Sequence, residues 1–362
     1  MARTRWPEPA TTAGWDQGPP LDYIRDLCHH WGTAYDWGAT ETRLNALDHR
    51  LTTVDGLDIH LVHVRSSHSD ATPLVLTHGW PGSFLEFEAL APLLTDPPDG
   101  EPAFHVVLPS LPGYAWSAPP QEPGWGIHRI ADAWAETMAR LGYDRFVAGG
   151  SDWGTSVSTC LGRQHPDRTS GLFLIPPLVP PPENRADLSA AEQRSLDDLT
   201  DRDATGSAYS SLHATRPQTI GYALTDSPVG LAAWIVEKVW SWSDHDGELD
   251  AVIPRDRLLD NVSLYWFTRT AAASARLYCE SIGEVSTWLD SGSANHPAFR
   301  VGVPTGALVF PAEVPRPSRR WAQDRFPRIV HWAEPDRGGH FGAWEQPETV
   351  ARELRTFARR LG

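Results

Sequence analysis

The segment 149–154, Gly-Gly-Ser-Asp-Trp-Gly, contains two side chains that could attack a carbon atom, Ser151 and Asp152. It lies between a short apolar run and a helical pattern. This is the setting of a nucleophile elbow, a strained strand-to-helix turn that presents one reactive side chain above a sheet. The competing interpretation is an ordinary glycine-rich turn in which Asp152 caps the following helix.

The small residues of this segment distinguish the two candidate nucleophiles. The elbow needs small residues two positions before and two positions after the nucleophile, because those positions pack against each other. With Ser151 at the tip, one flank is Trp153, which is too bulky. With Asp152 at the tip, the flanks are Gly150 and Gly154, which fit. The sequence therefore favours an aspartate nucleophile over a serine esterase.

An aspartate nucleophile determines which chemistry follows. A carboxylate with an ordinary pKa of about 3.9 is ionised at neutral pH and needs no base for its activation. It can attack an sp³ carbon and displace oxygen or halide, which leaves an alkyl ester. A base is needed only afterwards, to activate water against that ester.

A histidine and a carboxylate follow the elbow in the order nucleophile, acid, histidine that such a site uses. His340 lies in a glycine-flanked segment after the last predicted strand, and Glu313 follows the strand before it. Glu313 would hold the imidazole tautomer and stabilise the imidazolium. Three other carboxylates compete for this role from less suitable positions, namely Asp324, Glu334 and Asp336.

The segment 78–82, His-Gly-Trp-Pro-Gly, follows an early buried strand and is the candidate for an oxyanion hole. The backbone N–H groups of Trp80 and of Trp153, the residue after the nucleophile, would bind the oxyanion that forms when water attacks the ester. One such donor contributes roughly a hundredfold or more to the rate. Both tryptophans are also expected to contact the substrate.

The elements that must position these residues form an alternating series. Seven short runs predict strands, at 57–64, 73–77, 104–108, 145–148, 171–175, 305–310 and 328–332. Helical periodicity predicts helices around and between them, at 21–31, 41–47, 127–141, 155–164, 231–239 and 348–361. Such alternation indicates an α/β protein with a mostly parallel sheet. The strand 57–64 alternates apolar and polar residues, so one of its faces is expected to be exposed.

The strand pattern stops at 177–300, where helices and polar loops follow one another. We expect this block to form a helical lid over the carboxyl edge of the sheet. The remaining boundaries are an N-terminal region at 1–50 that packs on the core, a first core part at 51–176 and a second core part at 301–362.

Composition excludes several other functions. The 46 acidic residues outnumber the 31 basic ones, and the net charge of −15 opposes binding to nucleic acid. The three cysteines are too widely spaced for a disulfide framework or a zinc site, so we expect a reducing, cytoplasmic location and no metal. No apolar run approaches the roughly 20 residues of a membrane span, and no signal core opens the chain. The 17 tryptophans either fill the core or line an apolar pocket.

With these residues placed, nearly the whole chain resembles the microsomal-type epoxide hydrolases of the α/β-hydrolase superfamily, including bacterial members of natural-product pathways. The motifs that carry the resemblance are short segments in all parts of the chain, at 22–31, 78–81, 152–154, 226–233, 264–266 and 338–341. The resemblance implies an α/β-hydrolase fold with helices on both faces of the sheet and an inserted lid. The chain begins partway through the family's N-terminal region, which is therefore expected to lack its first strand.

The resemblance also implies two lid tyrosines, Tyr209 and Tyr278, that donate hydrogen bonds to the epoxide oxygen. A phenol with a pKa of about 10 stays protonated at neutral pH and can do so. The implied reaction converts a small-molecule epoxide and water to a vicinal diol through an ester on Asp152, without cofactor or metal. No membrane or nucleic-acid partner is expected, and a homodimer is compatible with the sequence.

Two alternatives remain open at this point. A haloalkane dehalogenase also uses an Asp-Trp pair in its elbow, with the tryptophan N–H holding halide and without tyrosine donors. A non-catalytic homologue that only binds a small apolar ligand would usually lack one of the catalytic groups. Every such group has a candidate in this chain, which favours catalysis.

Overall fold

A central β-sheet organises the protein, whose computed structural model describes residues 3–290, 292 and 296–361. Within these residues the sheet has eight strands: β1 (His49–Val54), β2 (Leu57–Val64), β3 (Thr72–Thr77), β4 (Phe104–Pro109), β5 (Phe146–Ser151), β6 (Thr169–Ile175), β7 (Thr305–Leu308) and β8 (Ile329–Ala333). Their order is β1-β2-β4-β3-β5-β6-β7-β8. Among these eight strands, β2 alone runs opposite to the other seven, so the predicted mostly parallel sheet is confirmed.

Helices cover the sheet and form the block that interrupts it. In chain order they are α1 (Leu21–Thr33), α2 (Trp37–Asn45), α3 (Leu90–Thr95), α4 (Ile127–Arg140), α5 (Trp153–Gln164), α6 (Ala190–Thr205), α7 (Ala208–Thr215), α8 (Pro217–Asp226), α9 (Pro228–Trp242), α10 (Arg255–Thr268), α11 (Ala271–Leu289), α12 (Arg319–Arg325), α13 (Gly342–Glu345) and α14 (Pro347–Ala358). Short 3₁₀ helices occur at Phe84–Phe87, Leu249–Ala251 and Pro297–Phe299. None of the described helices is long and apolar enough to cross a bilayer.

The helices α6 to α11 all lie between β6 and β7, in the block for which the sequence predicts a lid, and we call this helical block the lid without implying that it moves. Parts of the predicted regions, namely residues 1, 2, 291, 293–295 and 362, lie outside the described residues. Within the described part, α11 packs on α7 and α8, and α9 packs on α8 and α10. The N-terminal helices contact this block directly, because α1 packs on α9 and α2 on α10.

The first strand, β1, was missed by the sequence analysis. It pairs with β2 through a two-residue turn in which Asp55 and Gly56 have φ values of 49° and 78°. Positive φ at both central residues is typical of the type I′ hairpin, for which Asp-Gly is a strong sequence signal. The residues of β1 do not alternate regularly between apolar and polar, and its Leu51 is largely exposed. The periodicity of the sequence therefore gives no clear indication of a strand.

The prediction that one face of strand 57–64 is exposed is wrong. Its histidines His60 and His63 are both buried, at 3% and 1% exposure. They are accommodated because each finds a polar partner: His60 Nδ1 lies 2.8 Å from Ser110 Oγ, and His63 Nε2 lies 3.0 Å from Tyr143 Oη. Burial lowers the pKa of both histidines, to about 3 and about 4, so both are neutral.

Asp260 of α10 joins the N-terminal helices to the lid. Its buried carboxylate accepts hydrogen bonds from Tyr35 Oη at 2.8 Å, Thr40 Oγ1 at 2.5 Å and Arg43 Nη2 at 2.6 Å. Arg43 also donates to Glu88 through its Nε. The carboxylate is thus fully surrounded by donors, which offset the cost of burying its charge.

We expect Asp260→Asn to lower the free energy of unfolding by about 3 kcal/mol, because it leaves Arg43 and two hydroxyl groups without their buried anion. Urea unfolding at neutral pH measures the change. Asp256→Asn on the same helix is the matched control: this carboxylate is 67% exposed and contacts His30. The control should cost under about 1 kcal/mol. Equal losses in the two variants would contradict the role given to Asp260.

Candidate active site

The connection from β5 to α5 holds Asp152 in a strained conformation, with φ 51° and ψ −120°. Two glycines make this turn possible. A Cβ on Gly150 would lie 2.2 Å from the carbonyl oxygen of Thr77 and 2.9 Å from Gly154 Cα, and a Cβ on Gly154 would lie 1.8 Å from the same oxygen. Because no larger residue fits at either position, the chain can reverse sharply here and present the Asp152 side chain at the end of the sheet.

The Asp152 carboxylate lies against backbone donors. Its Oδ1 accepts a hydrogen bond of 2.9 Å from Trp80 N–H, and the Trp153 N–H also stabilises its charge. Gly79 allows this approach, since a Cβ there would lie 2.2 Å from Oδ1. Burial raises the pKa of Asp152 above its usual range, while His340 and the two N–H groups oppose that rise.

His340 lies between the carboxylates of Glu313 and Asp152. Its Nδ1–H donates to Glu313, with N–O distances of 3.0 and 3.1 Å, and its Nε2 lies 3.7 Å from Asp152 Oδ2. Burial alone would lower the pKa of His340. The neighbouring carboxylates, Glu313 first and then Asp152, outweigh burial and raise that pKa to about 9. The competing carboxylates are exposed, whereas Glu313 is 3% exposed.

The two tyrosines come from different lid helices, Tyr209 from α7 and Tyr278 from α11, and meet above Asp152. Their ring centroids are 5.7 Å apart, and the two rings are nearly perpendicular. Trp80 stacks on Tyr209 at 5.0 Å, and Tyr278 packs edge-on against Trp153 at 4.8 Å. Burial and the charge of Asp152 raise the pKa of both phenols, so both are protonated at neutral pH.

All of these side chains except that of Trp80 line one cavity of about 490 Å³. It is reached by all five candidate catalytic side chains: Asp152, Tyr209, Tyr278, Glu313 and His340. Its other walls are largely apolar, for example Leu178, Val179, Leu196, Leu199, Ile282 and Val285. Among the described residues no three His, Cys, Asp or Glu side chains are grouped as metal ligands. The geometry suits attack of a carboxylate on a small apolar molecule, followed by histidine-assisted hydrolysis.

Two protein families match parts of the chain. The family described as "Epoxide hydrolase N terminus" matches residues 1–87, and that described as "alpha/beta hydrolase fold" matches residues 72–204. A protein of Stigmatella aurantiaca that is named provisionally as an epoxide hydrolase is 47% identical, over 100% of this chain and 81% of its own. Epoxide hydrolase 1 of Sus scrofa is 36% identical, over 93% of this chain and 79% of its own.

The chain belongs to the epoxide hydrolase family. Solved structures agree with this assignment. The epoxide hydrolase of Aspergillus niger superimposes with a TM-score of 0.89 at 30% identity, covering 100% of this chain and 91% of that one. The juvenile hormone epoxide hydrolase of the silkworm Bombyx mori gives 0.84 at 28% identity, covering 99% and 88%. The resemblance and the α/β-hydrolase fold predicted from the sequence are therefore both confirmed.

The sequence analysis missed a buried carboxyl group beside the nucleophile of this epoxide hydrolase. Glu86 lies on the 3₁₀ helix Phe84–Phe87 and is 3% exposed. Its Oε1 fills the space beside Gly82, where a Cβ would lie only 1.3 Å from it, and its Oε2 accepts a hydrogen bond of 3.4 Å from Ser151 Oγ. Burial raises the pKa of Glu86 to about 8, although His340 opposes the rise. The available signal was an acidic residue between Leu85 and Phe87 in a largely apolar segment.

Trp242, at the end of α9, is a second residue that the sequence did not single out. Its ring packs on the His340 imidazole at 4.9 Å and on Tyr209 at 5.4 Å. Its carbonyl oxygen accepts the His340 backbone N–H at 2.8 Å. The lid therefore contacts the histidine both through a ring and through the main chain.

The raised pKa of Glu86 predicts a pH dependence of stability. An unfolded glutamate has a pKa of about 4.3, so the folded protein holds this proton more tightly. The resulting stabilisation is complete below about pH 4.3 and is lost as the pH rises through about 8. We therefore expect wild type to lose at least about 1 kcal/mol of unfolding free energy relative to Glu86→Gln between about pH 5 and about pH 8.

Urea unfolding of both proteins at several pH values tests this. Glu41→Gln, at an exposed position of α2, is the control and should give a curve parallel to wild type. A difference between wild type and Glu86→Gln that stays constant over the whole range would mean that Glu86 is ionised in the folded state.

Proposed function

We propose that this protein converts an epoxide and water to a vicinal diol through an ester on Asp152. The observation that carries the proposal is that two protonated phenols, Tyr209 and Tyr278, line the same cavity as an ionisable carboxylate. An epoxide placed between them would meet a nucleophile on its carbon and proton donors on its oxygen. Family membership supports the same reaction.

In the first step Asp152 attacks one epoxide carbon. Its Oδ1 is occupied by the Trp80 N–H, which leaves Oδ2 as the attacking atom. A carbon–oxygen bond forms to Oδ2 as the ring carbon–oxygen bond breaks. The departing oxygen takes a proton from Tyr209 or Tyr278, and the phenolate so formed recovers a proton in the second step.

In the second step water hydrolyses the ester, with His340 as the base and Glu313 as the group that orients it. Before the reaction, the charge on Asp152 helps to keep the pKa of His340 at about 9. Esterification removes that charge, so the pKa of His340 falls and the imidazolium gives its proton to the tyrosinate, which restores the phenol. The neutral imidazole can then take a proton from water, whose oxygen adds to the acyl carbon of the ester. The tetrahedral oxyanion would rest on the Trp80 and Trp153 N–H groups. As it collapses, the bond between the acyl carbon and the diol oxygen breaks, that oxygen takes the remaining proton of the water, and Asp152 is again a carboxylate beside protonated His340.

A haloalkane dehalogenase is the second candidate, and one observation favours it. Within the described residues the buried indole N–H of Trp153 has no hydrogen-bond partner, and this is the group that would hold a halide. The tyrosine pair weighs against this candidate, because a halide leaves without a proton. A non-catalytic ligand-binding homologue is disfavoured because nucleophile, base, acid and both proton donors are all present.

Three further features belong to this proposal. A cytoplasmic location is supported by the cysteines Cys28, Cys160 and Cys279, which form no disulfide within the described residues. A role in natural-product biosynthesis rests on the family resemblance alone. A homodimer is the third feature of the proposal. Light scattering of the purified protein tests it by measuring the molar mass in solution.

We expect His340→Ala to accumulate the ester after exposure to styrene oxide, because the ester can form but has no base for its hydrolysis. Mass spectrometry of digested protein should place the added mass on the peptide that contains Asp152, with fragmentation assigning it to that residue. His165→Ala, at the half-buried histidine that follows α5, should turn over without accumulation. Label on Ser151, or no adduct while wild type is active, would overturn the mechanism.

We expect Tyr209→Phe and Tyr278→Phe each to slow ester formation by at least about tenfold, and the double variant by about a hundredfold or more, because the developing alkoxide loses its proton donors. Rapid-quench measurement of the ester gives these rates. Tyr222→Phe, at an exposed tyrosine of α8, is the matched control and should react like wild type. The dehalogenase would be established instead if the protein released halide from a haloalkane at a rate unaffected by Tyr209→Phe, Tyr278→Phe or both together, and formed no diol from any epoxide.

A further inference from the structure

Glu345 is a buried carboxylate in the loop that carries His340, and the proposed reaction gives it no role. It belongs to α13 and is 9% exposed. Its Oε1 accepts the Phe341 N–H at 3.0 Å, and its Oε2 accepts the Gly339 N–H at 2.9 Å. It therefore binds the backbone on both sides of His340.

The same carboxylate also binds the lid. Its Oε2 accepts the Asp244 N–H at 2.8 Å, just beyond the end of α9. Two residues earlier, the Trp242 carbonyl oxygen accepts the His340 N–H. The Asp244 side chain in turn accepts the Gly338 N–H at 2.7 Å. Four consecutive backbone N–H groups of the histidine loop, from residue 338 to residue 341, are thus bound by Glu345 or by the lid segment 242–244.

The packing around these bonds leaves no room for adjustment. A Cβ on Gly339 would lie 2.5 Å from the Trp242 carbonyl oxygen, 2.9 Å from Asp244 N and 3.0 Å from Glu345 Oε1. The loop and the lid segment are in direct contact at this point, with the Glu345 carboxylate between them. Because the Glu345 side chain bonds three backbone N–H groups in this confined space, it restricts the conformation of the loop.

We propose that Glu345 is a positioning residue that holds His340 in line with the Asp152 ester and couples the histidine loop to the lid segment 242–244. The proposal rests on the proposed function, because it assigns Glu345 to the hydrolytic step of that reaction. Ester formation needs Asp152 and the lid tyrosines, and none of these is bonded to Glu345. Hydrolysis needs an imidazole placed accurately beside the ester, and this placement depends on the loop.

Three N–H donors suit a carboxylate better than any other side chain. An ionised carboxylate only accepts hydrogen bonds, and it has enough lone pairs for all three donors. A glutamine of the same shape presents its NH₂ group to at least one of these N–H groups, which breaks that bond and opposes two donors. Burial raises the pKa of Glu345 to about 7, although the three N–H bonds oppose that rise, so the ionised form predominates above neutral pH.

The test compares the two half-reactions in Glu345→Gln, with styrene oxide as substrate. We expect the rate of ester hydrolysis to fall on the order of tenfold to a hundredfold, because a small displacement of a catalytic base has effects of this size. Ester formation should change by less than about threefold, since its groups are untouched. Rapid quench and mass spectrometry measure both rates, and the ester should accumulate in the steady state. Thermal unfolding reports the accompanying loss of stability.

The matched control is Glu192→Gln on α6. This carboxylate is also buried, also accepts a backbone N–H, from Ser189, and pairs with Arg320 at a site without contact to the histidine loop. It should lose stability without any change in the ratio of the two rates. If Glu345→Gln fails to fold, Glu345→Asp keeps the charge with a shorter reach and should accumulate ester to an intermediate level.

The rates measured in wild type and in the variants distinguish failure of the positioning role from failure of the proposed function. An unchanged ratio of the two rates in the folded Glu345 variants, or the same change in Glu192→Gln, would overturn the positioning role while the wild-type ester still supports the proposed function. If wild type itself forms no ester with any epoxide, the proposed function fails first, and the role of Glu345 fails with it.

Discussion

The site depends on a balance of buried charge around one histidine. Glu313 is buried and the Asp152 side chain is only 21% exposed, so each carboxylate alone would pay a desolvation cost. His340 lies between them and offsets both charges, while the N–H groups of Trp80 and Trp153 hold one oxygen of the nucleophile. The same arrangement makes the histidine sensitive to the state of the nucleophile, because removing one of the two negative charges changes which form of the imidazole is favoured.

Much of the fold could be predicted from the sequence because most of its strands are continuous apolar runs. The strand predicted at 104–108 corresponds to Phe104–Pro109, and that at 73–77 to Thr72–Thr77. The failures have two physical origins. The strand His49–Val54 pairs with the next strand in the chain, but its residues do not alternate regularly, so only the Asp55-Gly56 turn marks it in the sequence. The buried histidines of Leu57–Val64 owe their environment to Ser110 and Tyr143, far away in the chain, and local periodicity carries no record of those partners.

The site could be predicted in part, for reasons that differ from residue to residue. Asp152 follows from steric argument, since only its frame places glycines where the backbone of Thr77 approaches. The tyrosines Tyr209 and Tyr278 required the family resemblance, because the sequence does not reveal how the lid helices lie over the sheet. Glu86 and Glu345 were missed because a carboxylate in an apolar segment usually lies at the surface, and its burial becomes visible only in three dimensions.

The carboxylate alone does not determine what leaves the carbon that it attacks. Oxygen and halide can both be displaced by Asp152, and they differ in that an alkoxide needs a proton whereas a halide does not. Under the proposed function the distinction therefore lies in the lid, where Tyr209 and Tyr278 would supply protons, and not in the elbow, which both candidate reactions share. Trp242 links the tyrosines of the lid to the histidine loop, since its ring contacts both Tyr209 and His340. In the proposed reaction, the lid that would select the leaving group is thus also hydrogen-bonded, through the Trp242 carbonyl oxygen, to the residue that would serve as the base.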